Sequence, residues 1–159
     1  MKAVINATPL ISLAIIDKLS LLDELFDEIY IPKTVFKEAT IKWKRKADVI
    51  EGWSNHRTLG TTDVRAKASL ELILDEGEAE VIVLAQEIKA DLVIIDEDKA
   101  RKIAKLNNLK CTGTIGVLLD AKREGKIFQL KPFLDRLIAE GIYISDYLYN
   151  NAMVLSNER

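Results

Sequence analysis

One cysteine and one histidine serve the whole 159-residue chain, and these two scarcities exclude much chemistry. Cys111 alone leaves no internal disulfide and no cysteine-rich zinc site, and it fits a reducing cytosol. His56 alone argues against paired-histidine ribonuclease chemistry and against most zinc hydrolase sites. Seven glycines and three prolines leave no room for a long flexible linker. No apolar run approaches the roughly 20 residues that a membrane span needs. Met1 to Ile16 is apolar, but Asn6, Thr8 and Pro9 interrupt it and no small-residue cleavage site follows, so no targeting peptide is expected. Neither sign of charge dominates: 23 basic side chains face 25 acidic ones, for a formal net charge of -2. No global basic field advertises nucleic-acid binding, so any such contact must be a local patch. The expectation is a cytoplasmic protein with one domain over residues 1–159, long enough to bury a real core.

The most informative stretch that is present is Asp91-Leu92-Val93-Ile94-Ile95-Asp96-Glu97-Asp98. Four apolar residues, three of them β-branched, read as a strand buried on both faces inside a parallel sheet. The strand runs straight into three carboxylates, and a basic helical pattern follows from Lys99. Ligands of open α/β sheets bind outside the carboxyl ends of the strands. Crowded like charges repel, and a divalent cation neutralises them.

Elsewhere strand and helix patterns alternate. Ala3-Val4-Ile5 and Ile29-Tyr30-Ile31 are strand candidates, the second closed by Pro32. Thr8 offers an N-cap with Pro9 at the first helical position. Val35, Phe36, Ala39 and Trp43 recur at helical spacing. Helices are expected around Ala47–Trp53, Val64–Leu74, Glu78–Ile88, Asp98–Asn107 and Thr114–Arg123, with a strand at Lys110-Cys111. After Pro132 come a helix, an extended piece at Ile142-Tyr143-Ile144 and a helix that Ser145 can cap. This alternation predicts an α/β three-layer sandwich: a central, mainly parallel sheet flanked by helices.

Asn6 ends the first strand and Asp96 ends the one at 92–95, so neighbouring strands would bring both to one cleft. Glu78 opens the helix feeding the Asp96 strand, which puts it at the same edge. Glu38, one turn beyond Val35, faces the core side if the Val35–Ala39 stripe is buried. Such a ring suits metal-assisted phosphodiester cleavage, because Mg²⁺ or Mn²⁺ takes hard oxygen ligands without histidine or cysteine. The helix start at Thr8 and Pro9 can receive a phosphate. Plainer readings exist for each residue. Glu78 lies three after Asp75, the spacing of a capping box; Asp98 can N-cap its helix. Glu97, Glu76 and Glu80 read as solvated charge. Lys44 and Arg45 belong to a basic run around Trp43 that suits single-stranded nucleic acid, although a helix burying one aromatic gives the same pattern. Lys99 and Arg101, with Lys102 and Lys105, flank the acids and can meet a phosphate backbone.

Five segments, V-I-N-A-T-P-L-I-S-L-A, I-P-K-T-V-F-K-E, D-E-G-E-A-E-V-I-V-L-A, D-L-V-I-I-D-E-D and C-T-G-T-I-G-V-L-L-D-A-K-R-E-G, together resemble the PIN domains. These are metal-dependent ribonucleases that include toxins of prokaryotic toxin–antitoxin pairs. The similarity is greater to an uncharacterised prokaryotic PIN-like family that opens with D-T-S-P-L. It extends over almost the whole chain. The resemblance implies catalytic acids at Glu38, Glu78 and Asp96, metal ligation by Asn6, Asp96 and Asp98, and Thr8 at the usual Ser/Thr position. It also implies a Mg²⁺ or Mn²⁺ cofactor, single-stranded RNA as substrate, an antitoxin partner and a homodimer. The departure is Asn6, where the family has aspartate: an amide oxygen can ligate but brings no charge, so divalent binding should weaken. The leading expectation is therefore a weakened PIN-type endoribonuclease, possible as a toxin. The alternative is a catalytically silent PIN-like module that binds RNA or protein. A receiver-like phosphate sensor ranks third, since Asn6-Ala7 supplies no acidic pair.

Overall fold

Five short strands whose side chains are mostly apolar line up in one direction. In the computed structural model, which describes residues 1–158, these are β1 (Lys2–Ile5), β2 (Glu28–Pro32), β3 (Thr58–Leu59), β4 (Leu92–Ile94) and β5 (Lys110–Thr112). They form one all-parallel sheet in the order β3-β2-β1-β4-β5. The central position of β1 explains its composition, because Ala3, Val4 and Ile5 are fully buried. Its register pairs Val4 with Tyr30 on one side and Ile5 with Ile94 on the other. Chain order reverses direction across the sheet at β1 and β4, which is where open α/β sheets carry their ligand crevice.

Ten helices flank the sheet among the described residues. They are α1 (Ala7–Ile15), α2 (Ser20–Leu25), α3 (Lys33–Ala39), α4 (Ala47–Trp53), α5 (Val64–Glu71), α6 (Glu76–Glu87), α7 (Asp98–Leu106), α8 (Thr114–Arg123), α9 (Lys131–Ala139) and α10 (Asp146–Leu155). Helix α6 packs on β1, β2 and β4, and its Val81, Ile82, Val83 and Leu84 are almost completely buried. Helices α1, α2 and α8 pack together, with Leu10, Leu13, Val117 and Leu118 in the same core. None of the helices is long and apolar enough to cross a membrane. This is the three-layer α/β architecture that the alternating pattern predicts.

Several local expectations shift. Helix α1 begins at Ala7, with Asn6 rather than Thr8 in the capping position, so Pro9 is its third residue. Proline is tolerated there because the first four helical N–H groups lack intrahelical partners in any case. Strand β2 runs through Pro32, which pairs with Leu59 of β3, a two-residue edge strand too short to show in the sequence. Helix α3 stops at Ala39, and Trp43 sits in a turn with 81% of its surface exposed rather than on a buried helical face. Ile142–Ile144 is extended but joins no sheet. Glu80 is not solvated: it is 3% exposed, accepts a hydrogen bond from Thr34 and lies 3.4 Å from Lys67.

The C-terminal segment is tied down by Glu158. Its carboxylate takes Lys122 Nζ at 2.7 Å and the backbone N–H groups of Leu130 and Lys131 at 2.7 and 3.0 Å. Burial works to raise its pKa, but Lys122 and the two N–H donors overcome that and hold it at about 2. Glu158→Gln is expected to cost about 1–2 kcal/mol in urea unfolding at pH 7, the scale of hydrogen bonds to a charged group. A depressed folded pKa contributes stability above the unfolded value near 4.5 that disappears as pH falls toward 2. The wild type and Glu158→Gln should therefore converge in acid.

Candidate active site

The carboxyl edge of the sheet carries two adjoining cavities. The first, of about 340 Å³, is lined by Asn6 and Thr8 at the start of α1, Glu38 of α3, Asp75 and Glu78 at the start of α6, and Glu97 and Lys99 before and within α7. Asn6 is 8% exposed and occupies a capping position, yet its side chain makes no capping hydrogen bond. Its backbone is fixed by an N–H donated to the Ile94 carbonyl at 3.0 Å. The amide is thus left facing the cavity instead of serving α1.

Asp75 and Glu78 realise the capping spacing. The Glu78 N–H donates to Asp75 Oδ1 at 2.7 Å, and Asp75 is the N-cap of α6. The backbone role does not exhaust Glu78, whose carboxyl group lines the cavity. Burial, then a hydrogen bond shared with the Asp75 carboxylate and the charges of Asp75 and Glu97, push the Glu78 pKa up to about 7. Glu38 is exposed rather than core-facing, and its Oε2 hangs over the first turn of α6: a Cβ added at Gly77 would meet it at 3.5 Å. An anion is favoured at that helix start.

Asp96 takes a different course. It follows β4 next to β1, as the sheet order requires, but its side chain turns to the start of α8. Thr114 donates to both oxygens, from its N–H at 2.7 Å and its Oγ1 at 2.6 Å. The approach depends on Gly113, where an added Cβ would lie 2.6 Å from Asp96 Oδ1 and 3.2 Å from an Arg101 nitrogen. Gly116 is equally constrained, since its Cβ would lie 2.1 Å from Thr112 Oγ1. The G-T-I-G segment therefore brings the α8 backbone hard against β5 and Asp96. Asp96, Asp98 and Arg101 line the second cavity, of about 560 Å³, which shares Thr8 and Glu97 with the first. Asp98 does not cap α7; it is the first residue of that helix, after Glu97 in the capping position.

The structure thus gathers Asn6, Thr8, Glu38, Glu78 and Lys99 in one cavity, with Asp96, Asp98 and Arg101 in its neighbour. It does not bring Lys44 and Arg45 there. Arg45 is paired with Glu140 at the end of α9, and the adjacent Lys46 reaches Asp17 beyond the far end of α1. Lys44 lies over the Trp43 ring at 6.0 Å. Sequence reasoning missed three contributors. Asp75 was legible only as a cap, Glu97 only as solvated charge, and Thr114 only as part of a glycine-flanked helix start.

The donor set suits a hard divalent cation, being oxygen only: the amide of Asn6 and the carboxyl groups of Glu38, Asp75, Glu78 and Glu97. No three His, Cys, Asp or Glu side chains converge closely enough to hold an ion among the described residues. Ligation would draw Glu38, whose carboxylate already lies over the first turn of α6, and Glu78 of that turn toward one ion.

An all-parallel α/β sheet with an acid-lined cavity at its carboxyl edge places a candidate site where open α/β sheets carry their ligands, and many unrelated functions share that plan. The model of the family DUF3368, described as a PIN domain, matches residues 2–158. The chain belongs to this PIN-domain family, whose members are generally nucleases and typically use divalent metals. A search of curated proteins found no match.

Proposed function

We propose that the protein is a PIN-type endoribonuclease that cleaves single-stranded RNA with Mg²⁺ or Mn²⁺, weakened by Asn6, and that it acts as the toxin of a toxin–antitoxin pair. The observation that carries the reading is the convergence of Asn6, Glu38, Glu78 and Lys99 with the α1 start in one cavity. A divalent ion held by Asn6, Glu38, Glu78 and Glu97, with Asp96 and Asp98 beside it, would polarise the phosphate and lower the pKa of a bound water. The protein's own groups do the rest. The N–H groups of Ala7 and Thr8 at the start of α1, with the Thr8 hydroxyl, would receive an anion such as a phosphate. Lys99 supplies countercharge to the phosphate backbone. Burial and the Asp75 and Glu97 charges raise the Glu78 pKa to about 7 with no cation beside it, and a bound divalent ion would offset that repulsion and hold the carboxylate ionised as a ligand.

The toxin role rests on the family resemblance alone, and a short antitoxin-like reading frame beside the gene would support it. A second reading, a silent PIN-like binding module, is favoured by Asn6 and by the lack of three converged acids among the described residues. Asn6→Asp separates the two. It restores one formal charge to the donor set, so Mn²⁺ affinity by calorimetry should rise about tenfold and RNA cleavage should rise with it. If neither quantity changes, Asn6 lies outside the metal shell and the silent reading gains.

A further inference from the structure

The second cavity extends well beyond the acids. From Asp96 and Arg101 it runs across the start of α8 to the segment joining α9 and α10, where Tyr143 and Leu148 form its outer wall. Tyr143 is held out in the open by its neighbours in sequence. Gly141, with φ +92°, ends α9, and the Ser145 side chain accepts the Leu148 N–H at 3.1 Å to start α10. Between these caps, Ile142 and Ile144 pack against the core while Tyr143 stays 87% exposed. Exposed aromatic rings also occur elsewhere on the chain, at Trp43, Phe128 and Tyr147, and what sets Tyr143 apart is its place in the wall of this groove.

The rest of the groove describes what would cover that ring. Neither the backbone groups of Tyr143 and Ile144 beyond the cap bonds nor the Asn151 amide has a hydrogen-bond partner among the described residues, so a polar edge can be read there. At the other end, Arg101 lines the groove beside the carboxylates of Asp96, Glu97 and Asp98, and Lys99, Lys102 and Lys105 lie on the same helix outside the groove's lining. None of these four cations takes part in a salt bridge among the described residues, a state that Lys33, Lys37, Lys42 and Lys44 share. An aromatic platform, polar readers and unpaired cations together match a chain of flat bases on a phosphate backbone.

We infer that this groove is a nucleobase subsite: one base of a single-stranded RNA stacks on Tyr143, while the flanking phosphates lie along Arg101 and the lysines of α7. The inference rests on the RNA reading of the adjoining cavity and adds where the strand runs and which side chain grips it. A protein segment would match the apolar wall but leaves the unpaired cations of α7 without a purpose.

The test is fluorescence anisotropy of short fluorescein-labelled oligouridylate and oligoadenylate, titrated with the full chain both with and without added Mg²⁺. Tyr143→Ala should weaken binding by about tenfold to a hundredfold, the range of one lost base stack, and Tyr143→Phe should bind like the wild type. The melting temperature should not change, since the ring is exposed. If the wild type binds RNA and Tyr143→Ala binds equally well, the subsite is wrong and the RNA reading stands. If the wild type binds neither oligonucleotide, both fall together. If Tyr143→Ala leaves RNA binding intact but alters the oligomeric state in size-exclusion chromatography, the groove is a protein contact and the inference is overturned.

Discussion

Glu78→Gln is expected to raise folding stability at pH 8, although it removes a central acid of the candidate site. The folded pKa of Glu78 stands at about 7 against an ordinary 4.5. Between those values the folded protein holds a proton that the unfolded chain has released. Stability is therefore greatest below 4.5, falls as pH rises through that window, and carries a constant penalty above about 7. The full shift would correspond to about 3 kcal/mol; with the side chain partly open to water, about 1–2 kcal/mol is the expected gain from glutamine. Thermal unfolding of both proteins at pH 5 and pH 8 checks the sign. The variants should melt together in acid and separate at pH 8, with glutamine the higher. A lower melting temperature for the variant at pH 8 would mean that the Glu78 carboxylate is stabilised where it stands.

Asp96→Ala is expected to act in the opposite sense and more strongly. It deletes a carboxylate that accepts two hydrogen bonds from Thr114 and fixes the start of α8 against β5. Loss of a charged cap with both its bonds should cost about 2–4 kcal/mol in urea unfolding at neutral pH. Thr114→Ala, which keeps the backbone donor, should cost less, and the double variant should show strong coupling. A cost below about 0.5 kcal/mol for Asp96→Ala would show that the carboxylate is not held by Thr114. Asp96 is thus a poor residue on which to test catalysis alone, since its removal disturbs the fold beside the site.

The sheet was legible because β1 and β4 are buried on both faces and carry unbroken apolar runs. The strand–helix alternation predicts a parallel sheet but not the order of its strands, and it is the folded sheet that sets β1 beside β4. Strand β3 was invisible, because two residues cannot show a period. Trp43 misled because a helical spacing can continue on paper after the helix has ended at Ala39. In the site, spacing located Asn6, Glu38, Glu78 and Asp96 at one sheet edge, but strand ends do not report side-chain direction. Whether a carboxylate enters a cavity or caps a neighbouring helix depends on partners far along the chain, as Thr114 does for Asp96 across 18 residues. The same limit hid Glu97, which a sequence cannot distinguish from any exposed glutamate.

The claim that the cavity around Glu78 is a metal-dependent ribonuclease centre is tested most directly by Mn²⁺-dependent cleavage of single-stranded RNA, comparing the wild type with Glu78→Gln. Slow cleavage by the wild type that chelation abolishes is expected, with at least a roughly hundredfold loss in the folded variant. Equal cleavage by the two proteins would contradict it.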